Sequence, residues 1–343
     1  MKRLLTILLM VTVCLSGCGA TVEQPPDQKQ YTATFLTLFD TVTTILGRSP
    51  SKEAFQETAQ EIHDRLLEYH QLFDIYNTYE GMTNLKTVND SAGIAPVEVD
   101  ERIIHLLLDC KDFYASTDGK VNAAMGSVLQ LWHEARSAGR DDPLHAELPD
   151  WDALTQAAEH TGFDAVVIDP EASTVYISDP AVQLDVGAIA KGWSLQRVVE
   201  TAPSGLLISV GGNVCATGPK DEAGTPWVVG IQGVDGGEDY LHTIYVKDGC
   251  VVTSGDYQRT YMVDGKLYHH IIDPETLYPS QHWRSVTVVC QDSGVADALS
   301  TALFLLPQEQ GQALLDQYQA RAVWLNSEGA LFYSPGFQDL IRT

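Results

Sequence analysis

Polar and apolar residues alternate between residues 31 and 47, where Thr and Phe are frequent, and this period of two predicts a strand or hairpin. Behind Ser51 the period changes. Phe55, Ala59, Ile62, Leu66, Tyr69 and Phe73 recur at three- and four-residue steps, which predicts one amphipathic helix. Asp74 to Gly93 is polar and reads as irregular. A second helix is expected after Pro96, burying Ile103, Ile104, Leu107 and Leu108, and Gly119 to Trp132 leads into a third. Residues 137–150, with Gly139, Asp141, Asp142, Pro143 and Pro149, read as a loop.

From about residue 163 the pattern shifts to short strands. Val166–Ile168 and Val175–Ile177 flank a turn-forming stretch and predict a hairpin. Leu206–Val210, Trp227–Ile231, Thr243–Val246 and Val286–Cys290 are apolar, β-branched runs. Tyr261–Tyr268 contains Asp264-Gly265, whose positive φ angles suit a two-residue hairpin turn. A helix is expected from about Gly294 to Leu306, another after Pro307, and a last hairpin turning at Ser327-Glu328-Gly329. Helices early and mostly antiparallel strands later define an α+β layout, with no internal repeat.

The first residues depart from this picture. Lys2 and Arg3 precede an apolar run, Leu4 to Leu15, too short to span a bilayer and suited to a signal-peptide core. Leu15-Ser16-Gly17-Cys18 resembles the bacterial lipobox, in which the Cys is lipidated after cleavage. An ordinary secretory signal containing Cys is the plainer alternative. Residues 1–17 are thus expected as a lipoprotein signal, 18–30 as a lipidated Cys18 with a flexible tether, and 31–343 as the folded domain. The expected location is the extracytoplasmic face of the cell membrane, lipid-anchored.

Charge narrows the partners. With 46 acidic against 21 basic residues and a net charge of −25, the surface repels nucleic-acid phosphate and anionic lipid. No nucleic-acid partner is expected, and membrane contact has to come from the anchor. A phosphate-bearing ligand then needs a metal ion or helix N-termini to offset the acidity. Cys110, Cys215, Cys250 and Cys290 are widely spaced with no C-x-x-C. One or two disulfides are compatible with that spacing, but buried free thiols are the expectation.

Four segments carry candidate chemistry. In Asp185-Val186-Gly187-Ala188-Ile189-Ala190-Lys191-Gly192, a strand bearing Asp185 is expected to run through small residues into a helix. Lys191 near the helix start suits a phosphate. A tight strand–helix junction with a surface Lys is the plainer reading. Ser209-Val210-Gly211-Gly212-Asn213 allows close ligand approach but equally a simple β-turn. No G-x-G-x-x-G follows a strand, so a Rossmann site is not supported. His269-His270-Ile271-Ile272-Asp273-Pro274 places His270 at a strand end as a candidate base, with Asp273 available to hold its tautomer. A polar strand end is the alternative. In Ala296-Asp297-Ala298-Leu299-Ser300-Thr301-Ala302, Asp297 and Thr301 share a helix face and offer hard oxygens to Mg²⁺, or else simply begin an exposed helix. Ser49-Pro50-Ser51-Lys52 matches S-x-x-K without the partner motifs of a serine hydrolase.

The order of DVGAIAKG, SVGGN, HIIDP and ADALSTA resembles the ApbE family of FAD:protein FMN transferases over roughly residues 31–335. The resemblance implies an ApbE-like α+β fold of two closely associated lobes, unrelated to Rossmann domains. It implies Mg²⁺-dependent cleavage of FAD, release of AMP, and esterification of FMN to a Thr or Ser of an extracytoplasmic target. Such targets are acceptor flavoproteins, either redox-complex subunits or surface flavoproteins. Carried over by motif, Asp185, Lys191 and Ile272 bind FAD, and Phe39, Tyr76 and Ala124-Met125-Gly126 line its pocket. The Ala188 carbonyl, Asp297, Thr301 and Ser300 surround Mg²⁺, and His270 activates the acceptor hydroxyl. Two departures bear on the pocket: Leu277 stands where the family usually has Gly after HIIDP-x-T, so that turn is expected to avoid a Gly-only conformation, and Asn122–Ser127 differs from the common D-x-T-V-G-P. An FAD pyrophosphatase, with water as acceptor, and a flavin-binding lipoprotein without turnover are the competing readings.

Overall fold

The structure is a computed structural model that describes residues 28–234 and 240–343. The apolar run at 4–15, Cys18 and the tether up to residue 27 lie outside the described residues.

In chain order the elements are β1 (Lys29–Leu38), β2 (Thr41–Ser49), α1 (Lys52–Leu72), α2 (Leu85–Asp90), β3 (Val97–Glu98), α3 (Glu101–Ser116), α4 (Gly126–Asp141) and α5 (Trp151–Ala158). There follow β4 (Val166–Asp169), β5 (Thr174–Ile177), α6 (Ala190–Val199), β6 (Leu206–Val210), β7 (Asn213–Ala216), β8 (Trp227–Gln232) and β9 (Tyr240–Val246). The chain ends with β10 (Gly249–Gly255), β11 (Tyr261–Val263), β12 (Lys266–Tyr268), β13 (Ser285–Cys290), α7 (Ser293–Leu305), α8 (Gln308–Gln317), β14 (Arg321–Leu325) and β15 (Leu331–Tyr333).

Among the described residues the main sheet has eight strands, ordered β1-β2-β6-β7-β10-β13-β14-β15, each pair antiparallel. Alternation along each strand sorts its side chains between two faces. Ile45, Ile208, Cys215, Val252 and Val288 join the larger core, shared with α1, α3, α6 and α7. Ala216, Val251 and Val323 face the β8–β9 hairpin. A third apolar cluster joins α4 and α5 to the β11–β12 hairpin through Val128, Trp132, Leu154, Tyr261 and Val263. The fold is α+β, as expected.

Hairpin turns fall where the residues permit positive φ. Asp264-Gly265 (φ 50° and 75°) and Gly211-Gly212 (58° and 94°) each bridge two strands with two residues, as do Phe39-Asp40 (52° and 53°). The SVGGN segment is therefore a β-turn. Ser51 caps α1, its hydroxyl accepting the Ala54 N–H at 3.1 Å, which gives the S-x-x-K match a structural role.

Several boundaries differ from the expectations. Asp74–Gly93 is not irregular throughout, because Asn84 caps α2 by accepting the Thr87 N–H. The loop placed at 137–150 begins later: α4 runs through Gly139, where the Tyr261 ring packs so closely that a Cβ would meet it at 2.8 Å. Asp150 then caps α5, which the pattern did not reveal. Cys215 and Cys250, opposite each other on β7 and β10, form a disulfide rather than two free thiols, while Cys110 and Cys290 are free and buried.

Candidate active site

The site begins at a close crossing of two helices. α7 is apolar on nearly all sides and lies within the core, against α6, β10 and β13. Its one carboxylate, Asp297, is therefore only 4% exposed. Gly192 lets α6 reach it, since a Cβ there would collide with the Ser293 carbonyl and the Asp297 side chain. The Gly192 N–H donates to Asp297 Oδ2 at 2.8 Å. That bond leaves the Ala188 carbonyl, one turn back, without its usual helical donor. Lys191 Nζ lies 3.5 and 3.4 Å from the Asp297 carboxylate oxygens and 3.4 Å from the Gly187 carbonyl. Thr301 follows Asp297 by one turn and is half-buried. Ser300 is fully buried, its hydroxyl donating to the Asp297 carbonyl at 2.9 Å and lying 2.8 Å from the Ser254 hydroxyl.

This junction offers a carboxylate, a hydroxyl and a carbonyl, all hard oxygens of the kind Mg²⁺ takes. Among the described residues, no three His, Cys, Asp or Glu side chains gather into a metal cluster.

The segment before α6 is not a strand, contrary to expectation: only Gln183 makes a bridge, to Met125. Instead it is laced to the Ala124-Met125-Gly126 run. The Asp185 N–H donates to the Ala123 carbonyl at 2.8 Å and the Gly126 N–H to the Gln183 carbonyl at 2.9 Å. A Cβ at Gly126 would sit 2.5 Å from that carbonyl, so only Gly fits. Asp185 accepts the Gly187 N–H at 2.8 Å, folding the small-residue turn over itself. Ala124 and Met125 are buried, and Met125 shares an apolar cluster with Ile272.

His270 lies two residues beyond β12. Its Nδ1 faces the Gln258 carbonyl at 3.2 Å, which requires the proton on Nδ1 and leaves the Nε2 lone pair free. Burial, then the Arg259, His269 and Arg136 charges, push its pKa down to about 3. His269 differs: both ring nitrogens are bonded, Nε2 to the Ser280 carbonyl at 2.8 Å and Nδ1 to the Ile271 N–H at 3.2 Å. Asp273 does not hold the His270 tautomer. It pairs with Lys120 at 2.9 Å and accepts the Glu275 N–H at 3.0 Å, tying down the HIIDP turn. Within that turn Leu277 adopts φ 59°, so the left-handed conformation is kept without Gly. Its side chain, 7% exposed, packs with Met125, Trp132 and Ile272.

Tyr76 is 55% exposed and its ring lies tilted by 30° against His133, with centroids 5.3 Å apart. Burial, then the neighbouring Asp185 carboxylate, push its hydroxyl up to about 12. Asp74 shapes its loop, accepting the Tyr76 and Asn77 N–H groups at 2.7 and 3.1 Å and the Tyr79 hydroxyl at 2.6 Å. Phe39 sits in the β1–β2 turn, half-buried, its N–H donating to His70 Nδ1 at 3.3 Å. Asp40 beside it and Asp185 both act on Tyr76, so these segments share one neighbourhood.

Sequence reasoning missed Asp74, His133, Arg136 and Arg259. Asp74-x-x-Asn77 is a readable turn signature. No periodicity marks the others.

The ApbE family model matches residues 37–324. The chain belongs to the ApbE family. It is 33% identical to the FAD:protein FMN transferase of Treponema pallidum over 307 residues, covering 83% of each chain. It is 31% identical to that of Klebsiella pneumoniae over 299 residues, 80% of this chain and 89% of that one. Among solved structures, the ApbE protein of Thermotoga maritima superposes with a TM-score of 0.79 at 30% identity, over 92% of this chain and all of that one. The flavin transferase ApbE of Vibrio cholerae shares the fold, with a TM-score of 0.76 at 23% identity over 91% of this chain.

Proposed function

We propose that this ApbE protein is a Mg²⁺-dependent FAD:protein FMN transferase, acting on an acceptor flavoprotein outside the cytoplasm while anchored to the membrane through a lipid on Cys18. The observation that carries the reading is the α6–α7 junction, where Lys191 and the Gly192 N–H meet the buried Asp297 carboxylate in a chain of a family of named transferases. Bound Mg²⁺ would be held by Asp297, Thr301 and the Ala188 carbonyl, and would neutralise charge on the diphosphate. Ser300, bonded inward, supports the helix.

The remaining chemistry belongs to this chain's residues. Lys191 and the start of α6 attract the diphosphate. The 183–185 segment, clasped to 123–126, and Tyr76 beside His133 hold the rest of FAD. Nε2 of His270 takes the proton of the incoming Thr or Ser hydroxyl. The oxygen bonds to the FMN phosphorus, and the bond to the AMP phosphate breaks with its electron pair leaving on AMP.

The soluble domain, incubated with FAD, Mg²⁺ and an acceptor bearing a Thr site, is expected to yield acceptor-bound flavin fluorescence on a denaturing gel. Omitting Mg²⁺ or substituting Asp297→Ala should abolish it. Equal labelling by that variant would overturn the metal site, and AMP release independent of acceptor would make the protein a pyrophosphatase. The anchor is tested separately: full-length protein should partition with membranes and Cys18→Ser should release it.

A further inference from the structure

We propose that Arg136 and Arg259 form a two-guanidinium clamp on the phosphoryl group being transferred. The inference rests on the transferase reading and adds residues to it.

The fold brings the two arginines to one place. Trp132, Arg136 and Gly139 fall on one face of α4. Trp132 stacks on Tyr268 and donates its indole N–H to the Leu277 carbonyl at 2.9 Å, and Gly139 packs on Tyr261. That face therefore lies along the β11–β12 hairpin, with Arg136 between the two contacts. The hairpin's flanks carry Arg259 on entry and His270 on exit. Arg259 follows Gln258, whose carbonyl fixes the His270 tautomer.

Neither arginine has a carboxylate partner among the described residues, in a chain of net charge −25. Arg48, Arg102 and Arg197 are ion-paired, and Arg65 and Arg321 donate to backbone carbonyls. Arg136 instead donates to His133 Nδ1 at 2.9 Å, and His133 lies against Tyr76, so its guanidinium is pre-oriented. Arg259 is held at φ 48°, an unfavourable backbone for a long side chain. The two guanidiniums repel one another, and both disfavour a charged His270. Two guanidiniums without an ion-pair partner, beside the candidate base and with Asp185 as the nearby carboxylate, are arranged for an anion. The anion nearest that base is the phosphoryl group that the acceptor oxygen attacks. Its non-bridging oxygens gain charge as the new P–O bond forms and the bond to AMP breaks, while the proton passes to His270. The guanidiniums stay charged throughout and offset that charge.

Isothermal titration with FAD, FMN, riboflavin and AMP separates the sources of binding, because FMN carries the transferred phosphate, AMP the departing one and riboflavin neither. Arg259 is exposed, so Arg259→Gln should fold normally. It is expected to weaken FAD and FMN by roughly 10- to 100-fold, the range for a charged hydrogen-bonding contact, and leave riboflavin and AMP unchanged. Arg259→Lys should fall between, since it keeps charge without the fork. Arg136→Gln should show the same selectivity. Unchanged FMN affinity, an equal loss for riboflavin, a loss for AMP in place of FMN, or an effect confined to the KM of the acceptor would each overturn the clamp. If the unaltered protein binds no FAD, the transferase reading itself fails.

Discussion

In the proposed mechanism His270, with its pKa pushed down to about 3, would be an unusual general base, since proton transfer is most effective near the working pH. The causes point to a remedy. Burial and the Arg259, His269 and Arg136 charges depress His270, and a bound diphosphate would reverse the electrostatic part. The folded value lies below the ordinary histidine value of about 6.5, so the neutral form persists as pH falls until it approaches the lower value. The acid limb of kcat/KM, which reports the free enzyme, is therefore expected well below 6.5, and that of kcat, which reports the complex, higher. Arg259→Gln should raise the first limb by removing a repelling charge. A kcat/KM limb at or above 6.5 in the unaltered enzyme would refute this account. Leu277 poses a second balance. A left-handed backbone costs about 1–2 kcal/mol for a residue with a Cβ, which Gly would recover. Emptying a buried Leu position costs about 2–5 kcal/mol. Packing outweighs strain, so Leu277→Gly is expected to destabilise by roughly 1–3 kcal/mol in denaturant unfolding, although Gly is usual in the family.

At the scale of elements, the site is made where α6 meets α7. Gly192→Ala should push the helices apart, costing about 1–3 kcal/mol as overpacking. If Asp297 holds Mg²⁺ as proposed, the substitution should also weaken Mg²⁺ binding, because the Gly192 N–H orients the Asp297 carboxylate. Calorimetric Mg²⁺ titration beside thermal unfolding separates the effects, and unchanged values in both would exclude a tight crossing. Much of this was legible in the chain. The alternating 31–47 run, the stripe from Phe55 to Tyr69 and the Asp264-Gly265 turn report local periods and turn chemistry, which tertiary context did not override. The Asp297–Thr301 spacing was readable for the same reason. What failed were features set by distant partners. Gly139 reads as a loop residue but continues a helix because Tyr261 fills the space beside it. Asp273 reads as the partner of His270 but belongs to Lys120, 153 positions away in sequence. Arg136 and Arg259 carry no local pattern at all, and only the packing of α4 on the β11–β12 hairpin makes neighbours of them.

Across the whole molecule, the main sheet sets Cys215, Cys250 and Cys290 in one row. Cys250 lies opposite Cys215 on one side and Cys290 on the other, and all three sulfurs face the larger core. The Cys215–Cys250 disulfide closes a loop with a sequence separation of 35, for which chain entropy suggests about 3–4 kcal/mol. Burial pushes the Cys290 thiol up to about 12, so at neutral pH it is protonated and a poor nucleophile toward that bond. The native pairing is therefore expected to persist with Cys290 as a bystander. Removing Cys215 changes the balance: Cys250 then faces Cys290 across an antiparallel pair, where Cα separations of about 4.5–5.5 Å fall within disulfide reach. Cys215→Ser, oxidised under mild conditions and mapped by alkylation and peptide mass analysis, should yield a Cys250–Cys290 bond. The double variant Cys215→Ser/Cys290→Ser should remain unbridged and unfold at lower denaturant concentration than either the unaltered protein or the oxidised single variant. Alkylation of both Cys250 and Cys290 in the oxidised single variant would show that this face of the sheet is too tightly packed for the second pairing to form.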